Sequence, residues 1–161
     1  IRRQRQMCIR DSYLVLQKSL HPDNFVTADA QEQRIAMQKS TEVNDALKTL
    51  KDPILRSEAI IALNTGEAQD LEQKSTQDMA FLMQQLEWRE ELENIEQSQD
   101  ENAFESFAKR VKKETKEMLT ALEEQLNEQQ WSTAAQFCDK LRFLKKLADE
   151  ISQVEERLFE L

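Results

Sequence analysis

The single histidine of the chain, His21, stands two residues from Asp23 in the tripeptide His21-Pro22-Asp23. A carboxylate beside an imidazole can bring its proton affinity into the physiological range, so the pair could in principle do general acid-base work. Such a site also needs a nucleophile and convergent groups in a pocket, and a short turn supplies neither. A docking turn and a plain solvent loop are the alternatives to catalysis. The other reactive side chains add no site. Cys8 and Cys138 are far apart, and with one histidine no zinc-finger spacing and no paired-histidine metal site can be written. Gly66 is the only glycine, whereas phosphate-cradling loops need several close together. No metal, nucleotide or other cofactor is expected, and the chain is not expected to be an enzyme.

Charge points the same way. Asp and Glu number 31 against 22 Lys and Arg, for a net charge of -9 and a pI of about 4.8. Phosphate neutralisation needs a concentrated basic surface, so nucleic acid is not an expected partner. The basic run Lys109-Arg110-Val111-Lys112-Lys113 is interrupted by a core valine and followed by Glu114 and Glu117. It reads as a solvated helix face with i,i+4 pairs, not as a membrane or RNA patch. No run of about 18 apolar residues exists to span a membrane, and no apolar segment of the signal-peptide kind follows the N-terminal arginines. Residues 1–10 (IRRQRQMCIR) look foreign to the acidic remainder and read as a fragment end or an ill-defined start; the stretch is short and lacks serine, against an Arg-rich transit peptide. Two distant cysteines fit a reducing compartment, and a cytoplasmic location is expected.

These residues must be held by elements, and 39% hydrophobic with 33% charged is an ordinary balance for helices around one core or two small ones. Tyr13, Leu16 and Leu20 recur at helical spacing until Pro22 forces a stop. Asp29 and Glu32 have capping-box spacing, ahead of a helix striped by Ala36, Val43, Ala46, Leu47 and Leu50. Asp52-Pro53 reads as N-cap and first position of a helix that ends in Asn64-Thr65-Gly66. The polar stretch 67–75 is the best linker candidate, separating a segment 11–66 from a segment 76–161. In the latter, three long periodic helices follow, from Thr76 to Gln99, from Glu101 to Asn127 and from about Trp131 to Leu161. The second is striped by Phe104, Phe107, Val111, Met118, Leu122 and Leu126, the third by Ala134, Phe137, Leu141, Leu144, Ala148 and Ile151. Cys138, beside that last stripe, is expected to be a buried structural thiol. With connections this short, the expectation is an all-α chain ending in an antiparallel three-helix bundle.

The helix from Thr76 carries more apolar surface than a bundle needs. At about 100° per residue, Phe81, Trp88, Leu92 and Ile95 make a core stripe, while Met79, Leu82, Met83 and Leu86 fall mostly on the other side among Glu87, Glu90 and Glu93. A second apolar face edged by carboxylates is expected to bind a partner, with methionines that let it adapt; an interdomain interface is the alternative. Phe143, roughly 100° from the Leu144/Ala148 stripe, is expected to join this face.

His21-Pro22-Asp23 between a short and a longer helix, followed by Phe25, Asn44-Asp45-Ala46 and Leu50-Lys51-Asp52-Pro53, resembles the J domains that stimulate Hsp70-type ATPases. The segments FLMQQLEWREEL from Phe81, FAKRVKK from Phe107 and LRFLKKL from Leu141 resemble the C-terminal bundle of the HscB-type iron-sulfur co-chaperones. The resemblance covers about residues 13–161. It implies a J-domain helical hairpin, with the family's first helix missing or replaced, before the three-helix bundle. It implies an Hsp70-type chaperone ATPase as one partner, contacted by His21, Pro22, Asp23 and Lys18, with Asp23 accepting an arginine in a bidentate bond. The other partner implied is the iron-sulfur cluster scaffold protein, contacted by Leu82, Met83, Leu86, Glu87, Glu90 and Phe143; a further acidic position of that set is Asn94 here. The alternative is a structural helical module with an incidental tripeptide.

Overall fold

The computed structural model describes residues 2–66 and 79–159, with side chains over 8–66 and 79–158. The described residues form six α-helices and one 3-10 turn, with no strand among them. The expected linker, 67–75, lies outside the described residues. Packing divides the chain into two compact units, Ile1–Arg56 and Ser57–Leu161. This division falls N-terminal of the expected end of the first segment at residue 66. The second half of the helix that follows Pro53 packs with the C-terminal unit, burying Ser57 and Ile61 there.

In the first unit α1 spans Arg2–Leu20, so the helix carrying Tyr13 runs back through the segment read as foreign. Its Arg, Gln and Met residues are good helix formers, and neither Gly nor Pro interrupts them. The turn Pro22–Phe25 follows as a single 3-10 helix. Helix α2, Ala30–Lys51, starts where Asp29 accepts the backbone N–H groups of Gln31 (2.9 Å) and Glu32 (2.8 Å). Helix α3, Pro53–Thr65, starts where Asp52 does the same for Ile54 (2.8 Å), with proline at the position that has no N–H to lose. It ends at Gly66, whose φ of 73° is the left-handed cap that only glycine adopts without strain. Helices α1 and α2 pack on each other, and the Tyr13 hydroxyl donates to Asn44 Oδ1 at 2.9 Å.

In the second unit α4 (Met79–Ser98), α5 (Glu101–Asn127) and α6 (Trp131–Phe159) all pack pairwise, which makes the expected bundle. Asp100 caps α5 by accepting the Ala103 N–H at 3.0 Å. The α5–α6 corner closes as a Schellman motif: Gln130 N–H donates to the Gln125 carbonyl (2.9 Å) and Gln129 N–H to that of Leu126 (3.2 Å), with Gln129 at φ 58°. The core stripes read for α4 and α5 are buried at Phe81, Trp88, Leu92, Ile95, Phe104, Phe107, Val111 and Leu122. On α6 the stripe differs. Ala148 is exposed while Leu147 and Phe143 are buried, because α6 meets both α4 and α5 and buries a wider arc than one stripe.

The two units are unequal in core. Among the described residues of the first, only Ala36 and Ile54 are buried hydrophobics, and Leu16 and Leu50 stay 46% and 40% exposed. Local opening is governed by such buried contacts. The amides of α1 and α2 are therefore expected to exchange faster than those in the middle of α5 and α6. Native-state hydrogen exchange checks this, and equal protection in both would contradict it.

Candidate functional site

The tripeptide is built by local polar bonds. His21 caps the 3-10 turn: its Nδ1 accepts the Asp23 backbone N–H at 3.3 Å, and its carbonyl accepts the Asn24 N–H at 2.9 Å. With Nδ1 an acceptor, the neutral ring carries its proton on Nε2. The Asp23 carboxylate lies 3.4 Å from the same Nδ1, yet its side chain is 84% exposed and that of His21 53%. An acidic oxygen pair is thus held on a rigid turn and left open to a donor. Asn24, which sequence reading passed over, supplies the rigidity: its Nδ2 donates to the Lys18 carbonyl at 2.7 Å and ties the turn to the last turn of α1. Its signal was present, since Asn side chains often bond nearby backbone in turns. Lys18 itself is exposed beside the turn.

The second candidate lies on α4. Met83 and Leu86 are 54% and 55% exposed, Met79 still more so, Leu82 is half-buried, and Glu87 and Glu90 are exposed. The second face therefore exists. Glu87, Glu90 and Asn94 line an open groove whose far wall is Ala103 and Ser106 of α5. Glu91, in the same groove, is paired with Arg110.

Phe143 does not belong to this exposed face. It is only 7% exposed, stacked on Trp88 with centroids 5.8 Å apart and planes 9° apart, and edge-on to Phe81 at 5.7 Å. Arg89 covers the ring at 5.6 Å. The expectation treated α6 as having one inner face, whereas α4 packs on a second side of it and takes Phe143 in. Sequence reading also missed Lys140, which lies over the Phe81 ring at 5.3 Å and lines a shallow groove with Met83, Gln84 and Glu87. A cation thus borders the acidic edge of the apolar face.

Below this face α6 is tied to α3. Arg142 meets Glu58 at 2.6 Å, with Asp139 at 4.0 Å on its other side. Burial pushes the Asp139 carboxyl up. Burial, then the nearby Glu58 and Asp139 charges, pushes the fully buried Cys138 thiol up to about 12. Its burial is as expected from its position beside the α6 stripe. No group of His, Cys, Asp and Glu that could hold a metal ion occurs among the described residues, and none of their helices is long and apolar enough to cross a membrane.

Residues 77–152 match the family model described as the HSCB C-terminal oligomerisation domain. The chain is 71% identical to the co-chaperone protein HscB homolog of Haemophilus influenzae, over 92% of this chain and 86% of that one. It is 56% identical to the HscB homolog of Pasteurella multocida, over 96% and 90% of the two. Among solved structures it superposes on chaperone HscB from Vibrio cholerae with a TM-score of 0.89, at 39% identity, over 94% of this chain and 89% of that one. The human co-chaperone protein HscB matches with a TM-score of 0.80, at 26% identity, over 91% and 72%.

Two outcomes test the packing. Phe143→Ala should destabilise the bundle by about 3 to 5 kcal/mol, as removal of a buried aromatic ring does, and thermal unfolding reads this directly. A thiol reagent at neutral pH should modify exposed Cys8 in the folded chain and Cys138 only after denaturation, as mass spectrometry of labelled peptides would report.

Proposed function

The chain belongs to the HscB co-chaperone family, and from that premise we propose that it stimulates a specialised Hsp70-type ATPase and delivers the iron-sulfur cluster scaffold protein to it, assisting cluster assembly and transfer. It acts in the cytoplasm as an adaptor and catalyses no reaction of its own. The observation that carries this reading is the coexistence of two exposed devices on otherwise ordinary helices: the rigid turn presenting Asp23, and an apolar face on α4 edged by Glu87 and Glu90.

The segment 11–66 serves the chaperone. Asp23 accepts an arginine of the ATPase, a bond that can be bidentate and so reports orientation as well as contact. His21 and Pro22 hold the turn and pack at the interface, and Lys18 meets an acidic group beside it. The segment 76–161, joined through 67–75, serves the scaffold protein. Leu82, Met83 and Leu86 bury on association, with Glu87 and Glu90 at the polar rim. Phe143 contributes from beneath by holding Trp88 and Phe81, and hence α4, in place. The adaptor works by tethering: one chain holding both proteins raises the effective concentration of scaffold at the chaperone, to about the millimolar range for short flexible links.

Asp23→Asn is expected to abolish stimulation of the chaperone's ATP hydrolysis while leaving scaffold affinity and helical content unchanged. Met83→Ala combined with Leu86→Ala should weaken scaffold binding by about 2 kcal/mol or more with thermal stability within about 0.5 kcal/mol of the parent. Steady-state ATPase assays, calorimetric titration and thermal unfolding check the two. A structural module with an incidental tripeptide would accelerate no ATPase at all.

A further inference from the structure

The apolar face of α4 is bordered by a cation that α4 does not itself supply. Lys140 stands in the first half of α6 and is half-buried. Its ammonium lies 5.3 Å from the centre of the Phe81 ring, and Phe81 belongs to the buried inner stripe of α4. The same lysine lines a groove with Met83, Gln84 and Glu87, which are exposed residues of the outer side. A lysine of this kind lays its methylene stem on an apolar surface and keeps the charged end at the water boundary. Its position at the edge of the face is thus set by the packing of α6 on α4.

The other charges along this face are of opposite sign, since Glu87, Glu90 and Glu93 are all exposed on α4. Two arginines of the bundle are engaged elsewhere: Arg89 lies over Phe143 and 4.0 Å from Glu150 of α6, and Arg110 pairs with Glu91. Lys140 therefore brings a positive charge to a negative edge, on a chain whose net charge is -9. The two signs are also separated along the helix. Lys140 sits at the level of Phe81 and Met83, and Glu90 lies in the next groove, with Asn94.

We infer that Lys140 is a specificity-determining residue of the scaffold-binding face: it takes a carboxylate of the scaffold protein while Glu90 takes a basic group, and the pair fixes the direction in which the scaffold lies along α4. This rests on the reading of that face as the scaffold contact and adds the chemistry of the surface that meets it, apolar side chains with an acidic residue at one end and a basic one at the other. Leu82, Met83 and Leu86 cannot supply direction, because burial of apolar area is not directional. Charges of both signs at the rim can, since the reversed orientation sets like charges against each other.

The test is calorimetric titration of the purified scaffold protein into the full chain at about 50 and about 500 mM salt. Lys140→Met keeps a stem on Phe81 and removes the charge. At the lower salt it should weaken binding about fivefold and Lys140→Glu about thirtyfold, the differences shrinking to less than about twofold at the higher salt, with thermal unfolding unchanged. Lys140→Arg should bind like the parent. A carbodiimide, which joins an ammonium to a carboxylate in contact with it, should link Lys140 to an Asp or Glu of the scaffold protein, as mass spectrometry of the peptides reports. Unchanged or tighter binding by Lys140→Met overturns the inference. So does a loss of equal size at both salts with a lower melting temperature, which makes Lys140 a packing residue of Phe81, or a Lys140 cross-link confined to its own chain. Met83→Ala with Leu86→Ala runs alongside as the separate control: if that pair loses the scaffold protein while the Lys140 variants bind like the parent, the face stands and the charge reading fails. If the pair binds like the parent, the reading of the face fails and the inference with it.

Discussion

The stacking of Phe143 on Trp88 is the contact on which the exposed apolar face of α4 depends. Aromatic pairs of this kind add about 0.5 to 1.5 kcal/mol beyond the area they bury, and here the same ring also meets Phe81 edge-on. Phe81 and Trp88 lie two turns apart on the inner side of α4, so one side chain of α6 holds both. That holds α4 at a definite rotation. Leu82, Met83 and Leu86 follow from it, because a helix whose inner face is pinned has no freedom about where its outer face points. A small angular slip would bring Glu87 and Glu90 toward the core, at the cost of desolvating carboxylates. The aromatic block thus sets the direction of the exposed surface from inside the bundle.

The turn is held by a different physics. The described residues of its unit include few buried apolar side chains, and the turn is held by short polar bonds: Asn24 to the Lys18 carbonyl, Tyr13 to Asn44, and Gln33 Nε2 donating to the carbonyls of Val26 and Ala28 at 3.3 and 3.0 Å. Each is worth only about 1 kcal/mol net, but together they define the backbone path on both sides of Asp23. This suits a turn whose side chains stay in water. A bundle can bury its organising residues behind the face it presents, whereas a four-residue 3-10 turn has no interior. Capping and side-chain to backbone bonds are the means left to it.

Much of this was legible in the amino-acid order, and the legible parts share a cause. The start of α2 at Asp29, that of α3 at Asp52-Pro53, the end of α3 at Gly66 and the break at Pro22 are each decided within four residues of chain, by an orphan N–H, a missing N–H or a left-handed φ. The inner stripes of α4 and α5 were legible because large apolar side chains recur along one side of each at helical spacing. The failures share a cause as well. Phe143 and Ala148 were placed wrongly because the reading gave α6 a single face, and α6 has two bundle neighbours. The second half of α3 packs with the C-terminal unit although Gly66 marks the local break, since Ile61 and the Glu58–Arg142 pair act across a separation in sequence that no helix pattern records. Residues 2–10 are helical despite their foreign composition, because helix propensity depends on side-chain type and not on charge balance.

By itself, then, the order of residues determined an all-α chain, the starts of α2, α3 and α5, the ends of α1 and α3, a turn carrying His21, Pro22 and Asp23, and a helix with apolar side chains on two sides. Only the tertiary structure decided which of those side chains stay in water: Met83 and Leu86 out, Phe143 in. The physical reason is range. Hydrogen bonds at helix ends and the stops set by proline and glycine act between residues a few positions apart and can be read along the chain. Burial depends on how many neighbours surround a helix and at what rotation, and those neighbours come from distant parts of the sequence.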